Sequence, residues 1–205
     1  MRKATELFGE WATLGRDEGM EHGHAASVGQ MLDATLDKME DGFSAIDLGC
    51  GNGWVVRRLL ELGAGSAMGV DGAEEMITKA RNIDPEGRYE LGYLPDWRPP
   101  HRFDLIHSME FLYYLKDPSS MLETVAREWL LPGGWLIAGV DHYAENDESL
   151  EWPIKLDVHM TTMTREEWRE AMDAAGFEEV SVWITKRDDG KPGTLVMVGR
   201  APSSQ

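Results

Sequence analysis

The stretch Asp47-Leu48-Gly49-Cys50-Gly51-Asn52-Gly53 constrains this chain more than any other. It overlaps the end of a short apolar run, residues 45–48, and precedes a helical pattern over residues 54–62, so its alternating glycines occupy the turn between a strand and a helix. A residue without Cβ tolerates positive φ and lets a ligand lie against the main chain, while the following helix presents free amides at its first turn. Such a turn cradles a polar, flexible cofactor. The dinucleotide fingerprint wants glycines at relative positions one, three and six. Here the sixth position is Trp54, which argues against a standard nicotinamide-dinucleotide site.

Short apolar runs alternate with helical patterns on both sides of the turn, the rhythm of βαβ units that build a parallel sheet covered by helices. Strands are predicted at residues 45–48, 67–70, 89–91, 103–106 and 135–140, and helices at 54–62, 73–83 and 118–130. Before them, Ala25, Val28, Met31, Leu32, Leu36 and Met39 form one apolar stripe of a helix over residues 21–39. Asp117-Pro118 is a helix start, and Thr164-Arg165-Glu166-Glu167 is a capping box opening a helix that should stop at Gly176. Runs at 180–184 and 194–198, separated by a polar stretch containing Asp188-Asp189-Gly190, make a closing antiparallel hairpin. Asp71 ends the second strand, where a carboxylate accepts hydrogen bonds from both hydroxyls of a ribose.

The 37 acidic against 20 basic residues give a net charge of -17, a field that repels polyphosphate and argues against a nucleic-acid acceptor. The one cysteine, Cys50, leaves no intramolecular disulfide and no zinc cluster. No apolar run approaches the ~20 residues that span a bilayer, and the N-terminus lacks the apolar core of a secretory signal, so no membrane association and a cytoplasmic location are expected.

With these residues in register, the chain resembles the class I S-adenosylmethionine (SAM)-dependent methyltransferases, in particular the broad type 11 group that includes quinone-biosynthesis and small-molecule enzymes. The resemblance rests on Asp47 to Gly53, Val70-Asp71-Gly72, Phe103-Asp104-Leu105-Ile106 and Leu131-Pro132-Gly133-Gly134-Trp135-Leu136, and covers about residues 44–140. Gly15-Arg16-Asp17-Glu18-Gly19-Met20-Glu21 looks like the corresponding segment of uncharacterised archaeal members. It implies an α/β, Rossmann-like fold: a seven-stranded, mostly parallel sheet with a C-terminal antiparallel hairpin, helices on both faces and an N-terminal helical lid. One domain over 1–205 is expected, with a helical cap (1–43), a SAM-binding core (44–140), a substrate-side insertion (141–163) and a closing helix and hairpin (164–205). By motif position, Gly49, Cys50, Gly51 and Gly53 would approach the methionine moiety, Asp47 would order the turn or bond the ammonium, and Asp71 with Gly72 would hold the ribose. Met76 would pack near the adenine, which Tyr93 and Asp96 would serve in place of the family's usual aspartate. Ser108 would flank the methyl group.

The acceptor is expected beyond the strand ends, near residues 108–114 and 141–143, with the polar segment 16–24 as a lid. Methyl transfer from a sulfonium requires alignment, exclusion of water and, for a protonated acceptor, loss of a proton. His142 is the first candidate for that proton, followed by Glu110, His107 and Tyr113. The favoured acceptor is a small molecule. An RNA or protein acceptor, or a SAM-binding regulator without turnover, stays open as an alternative.

Overall fold

The computed structural model describes residues 1–186, 190 and 192–203; Asp188 and Asp189 of the expected polar stretch fall outside them. Two helices open the chain, α1 (Ala4–Thr13) and α2 (Asp17–Leu36). Then follow β1 (Ser44–Leu48), α3 (Trp54–Glu61), β2 (Ser66–Asp71), α4 (Glu74–Ile83), β3 (Arg88–Leu91), β4 (Phe103–Met109), α5 (Pro118–Thr124), β5 (Leu130–Val140), α6 (Trp152–Leu156), α7 (Arg165–Ala175), β6 (Glu178–Ile184) and β7 (Leu195–Arg200). The seven strands form one sheet in the order β3-β2-β1-β4-β5-β7-β6. The first five run parallel, and β7 lies antiparallel between β5 and β6.

This order places the functional end. From β1 the chain moves outward through β2 to β3, then returns to lay β4 on the other side of β1. The connections leaving the carboxyl ends of β1 and β4 therefore diverge and open a crevice, the position where open α/β sheets bind ligands. Both faces of the sheet are covered because parallel strands bury both of their faces. Ile46, Leu48, Ile106 and Leu136 pack towards a layer containing Trp129 and, from α7, Trp168. Ala45, Leu105 and Ile137 pack towards Val28, Met31 and Leu32 of α2 and Val55, Val56 and Leu59 of α3.

Local chemistry sets most boundaries. The Thr164 capping box has both of its bonds, and Gly176 takes positive φ to end α7. Asp117 accepts from the Ser120 amide, with Pro118 in the first turn of α5. Three expectations change. The helix predicted over 118–130 is α-helical only to Thr124, after which residues Val125–Trp129 adopt a wider π-helical turn. Strand β5 begins at Leu130 instead of 135, because Gly133 and Gly134 pair with Ala201 and Pro202 just beyond β7 and prolong the ladder. The helix expected over residues 21–39 runs from Asp17 to Leu36 instead, so the segment 16–24 expected as a lid is mostly helical, and Asp17 and Glu18 suit the positive end of the helix dipole. No helix among the described residues is long and apolar enough to cross a membrane.

Candidate active site

The glycine turn and the end of β2 are tied together by one carboxylate. Asp71 accepts from the Gly51 amide at 2.9 Å through one oxygen and from the Ala73 amide at 2.8 Å through the other. Burial raises its pKa; those amides work against the shift, and nearby Asp47 adds to it. Gly49 has positive φ, and a Cβ there would meet Cβ of Phe111 at 2.8 Å, so the turn can sit beneath the β4 loop only as glycine. Behind the turn, Asp47 Oδ1 lies 2.7 Å from His107 Nδ1, both fully buried.

Above the turn lies a cavity of about 750 Å³, a volume that suits a nucleoside-sized ligand with a small second molecule. Its floor is the turn, with Asp47, Gly49, Cys50, Gly51, Asp71 and Gly72. Met76 and Tyr93 line one side. Helices α1 and α2 form the roof through Phe8, Asp17, Met20 and His24. Asp17 pins α2 in place, accepting from Asn52 Nδ2 at 2.9 Å and from Lys79 Nζ at 2.8 Å. The chain's start closes the rim: Arg2 donates its amide to the Asp157 carbonyl and its guanidinium to the Leu156 carbonyl, so the segment after β5 is part of the wall.

At the far end stands Glu110, the first residue beyond β4, with φ of 59°, an uncommon conformation for a residue with a side chain. It accepts from the Tyr113 hydroxyl at 2.7 Å and from the Asp141 amide. Burial and the neighbouring Asp141 push its pKa up to about 8, although His24 and these two donors pull the other way. His24 Nε2 is 3.4 Å from Asp141 Oδ2. Burial opposes its charge, but the bond to Asp141 and the charge of Glu110 outweigh burial and raise its pKa.

Of the residues singled out in the sequence, Asp47, Gly49, Cys50, Gly51, Asp71, Gly72, Met76, Tyr93 and Glu110 line this cavity. The others sit elsewhere. Gly53 caps α3, and its missing Cβ makes room for the Tyr89 ring, 2.3 Å from where that atom would be. Ser108 is buried and donates to the Leu48 carbonyl, and Asp96 is exposed outside the cavity lining. Tyr113 lies behind Glu110; burial raises its pKa, so it stays a hydroxyl donor. The thiol of Cys50 is likewise pushed up by burial and remains protonated. His142 is removed from the site: fully buried, it lies within bonding distance of the Ser149 carbonyl at 3.0 Å and the Thr162 hydroxyl at 2.8 Å, and burial lowers its pKa. Asn52 lies within the glycine motif and Asp17 and His24 within the segment expected as a lid, but neither they nor Phe8 could be singled out as site residues, because only the fold brings them together around the turn.

Fold and site together define the class as that of the SAM-dependent class I methyltransferases. Residues 20–182 match the sequence model of the methyltransferase-domain family, and the chain belongs to that family. It is 33% identical, with a TM-score of 0.81, to the methyltransferase solved in complex with the Haloferax volcanii Trm112 methyltransferase activator, covering 98% of this chain and 99% of that one. It is 28% identical over 137 residues to a ubiquinone biosynthesis O-methyltransferase of Hydrogenovibrio crunogenus, over 63% of this chain and 56% of the relative. It is also 33% identical over 106 residues to a tRNA U34 carboxymethyltransferase of Alteromonas mediterranea, over 47% of this chain and 32% of the relative. The chain thus spans from about a third to just over half the length of these two curated relatives.

Proposed function

We propose that this chain moves the methyl group of SAM to a small-molecule acceptor by in-line displacement. The observation that carries the reading is the continuous cavity running from the glycine turn to Glu110 beneath α1 and α2. SAM would lie with its methionine end over Gly49 and Gly51, its ammonium near Asp47, its ribose hydroxyls on Asp71 and its adenine between Met76 and Tyr93. The methyl group would then face Glu110, the one of the four expected proton acceptors that lines the cavity, with Tyr113 fixing it from behind. The roof of α1 and α2 would limit the access of water to the transferring methyl group, which aligned transfer favours. The test is mass spectrometry of a cell extract incubated with the protein and isotope-labelled SAM. A labelled small molecule is expected; label confined to RNA or protein contradicts the acceptor class, and no labelled product points to the regulator reading.

A second component has support of its own. A relative 33% identical over nearly the whole chain was solved with the Trm112 methyltransferase activator, so a protein activator of that kind is a proposed partner here. Co-expression with such a protein should give a complex stable to gel filtration; separate elution contradicts the partnership and leaves the cofactor reading intact.

A further inference from the structure

We propose that His24, Glu110 and Asp141 form a site for one divalent transition-metal ion of the Zn²⁺ or Mn²⁺ kind at the acceptor end of the cavity. The use made of the ion rests on the methyl-transfer reading above; its binding does not.

The three residues come from α2 and from the ends of β4 and β5, and each offers one ligand atom within 4.8 Å of the others. His24 Nε2 and Asp141 Oδ2 are 3.4 Å apart, the separation expected of two ligands bonded at roughly 2.0–2.2 Å around a tetrahedral ion. Asp141 is only 9% exposed, and its Oδ1 is buried with no hydrogen-bond partner among the described residues. An unpaired carboxylate oxygen out of water is a standing desolvation cost that a cation removes.

The surroundings orient these groups as outer partners orient metal ligands. The His24 ring presents Nε2 to Asp141. Glu110 is fixed by Tyr113 and by the Asp141 amide, and the Asp141 carbonyl accepts from Asn146 Nδ2 at 2.6 Å. One imidazole and two carboxylates favour borderline ions over calcium or magnesium, and three protein ligands leave the next position for substrate. His24 and Glu110 line the main cavity, while His24 and Asp141 line a second one of about 450 Å³, so the cluster stands where the two meet.

That placement names the acceptor class: a small molecule with an ionisable hydroxyl that ligates the ion. Bound there, the hydroxyl loses its proton to water more readily. Its oxygen lone pair forms the new C–O bond as the S–CH₃ bond breaks. That electron pair stays on sulfur, turning the sulfonium into a thioether.

The test titrates metal-free protein lacking a histidine tag with Zn²⁺, Mn²⁺ and Co²⁺. Expected are one ion per chain, a visible d–d spectrum with Co²⁺, and at least tenfold weaker binding in His24→Ala and Asp141→Asn. Tyr113→Phe should weaken binding about tenfold through loss of an outer partner. His22→Ala, exposed on the same helix, should bind as the unaltered protein does. Absence of a Co²⁺ spectrum in the unaltered protein overturns the proposal without reliance on any variant, as does unchanged affinity in folded His24→Ala. S-adenosylhomocysteine binding, measured in the same metal-free protein, reads the cofactor site separately, so the two failures are distinguishable.

Discussion

Asp71 holds its own loop as well as facing the cavity, because each of its oxygens takes one backbone amide and keeps a lone pair for a ribose hydroxyl. Asp71→Ala should therefore weaken S-adenosylhomocysteine binding by more than ~1 kcal/mol in calorimetry, through loss of charge-assisted bonds. Unchanged affinity in a folded variant would refute its role. Gly49→Ala should lower stability by about 1–3 kcal/mol in urea titration, because it forces a side chain into positive φ against Phe111; an unshifted midpoint would contradict the close approach. Residues such as these were legible in sequence because the chemistry of a tight turn is local. His142 was not: it and Asp141 lie just beyond the end of β5, where the Asp141 carboxylate faces His24 while the His142 ring faces Ser149 and Thr162. Periodicity could locate the strand end without fixing which of the two neighbours faces the crevice.

Among the elements, α2 departs most from its sequence pattern. Its first two turns carry Gly19 and Gly23 and no apolar stripe, so the apolar pattern places the helix start only at residue 21. They are helical because Asp17 anchors the start to Asn52 and Lys79, residues far along the chain whose proximity no local pattern announces. Asp17→Ala should cost about 1.5–3 kcal/mol in stability, the range for hydrogen bonds to a charged group, and should also weaken cofactor-product binding as the roof loosens. Retention of both quantities would show that α2 is held by other contacts. Helix α7 was the opposite case, since its cap, stop signal and apolar face agree with one another. Trp168 within it is fully buried, and Trp168→Ala should destabilise by about 3–5 kcal/mol, read from denaturant unfolding. A loss below ~1 kcal/mol would contradict the packing.

The molecule as a whole carries a net charge of -17, and self-repulsion of that size opposes the compact state. Raising NaCl should increase Tm, by about 2–4 °C for each kcal/mol of repulsion screened; a flat or falling Tm would mean that the acidic groups are already compensated. The parallel strand–helix alternation and the closing antiparallel hairpin were legible in sequence, whereas the order of the strands comes from the fold. The roof was expected only as an N-terminal helical lid; which of its residues, 1–24, face the floor formed by residues 47–72 follows from folding alone. The central claim is that this composite cavity is built for SAM, and calorimetric titration with SAM and with S-adenosylhomocysteine tests it most directly. Saturable binding of one molecule per chain is predicted for each, weakened in Asp71→Ala; the absence of heat from either ligand in folded protein would contradict the account.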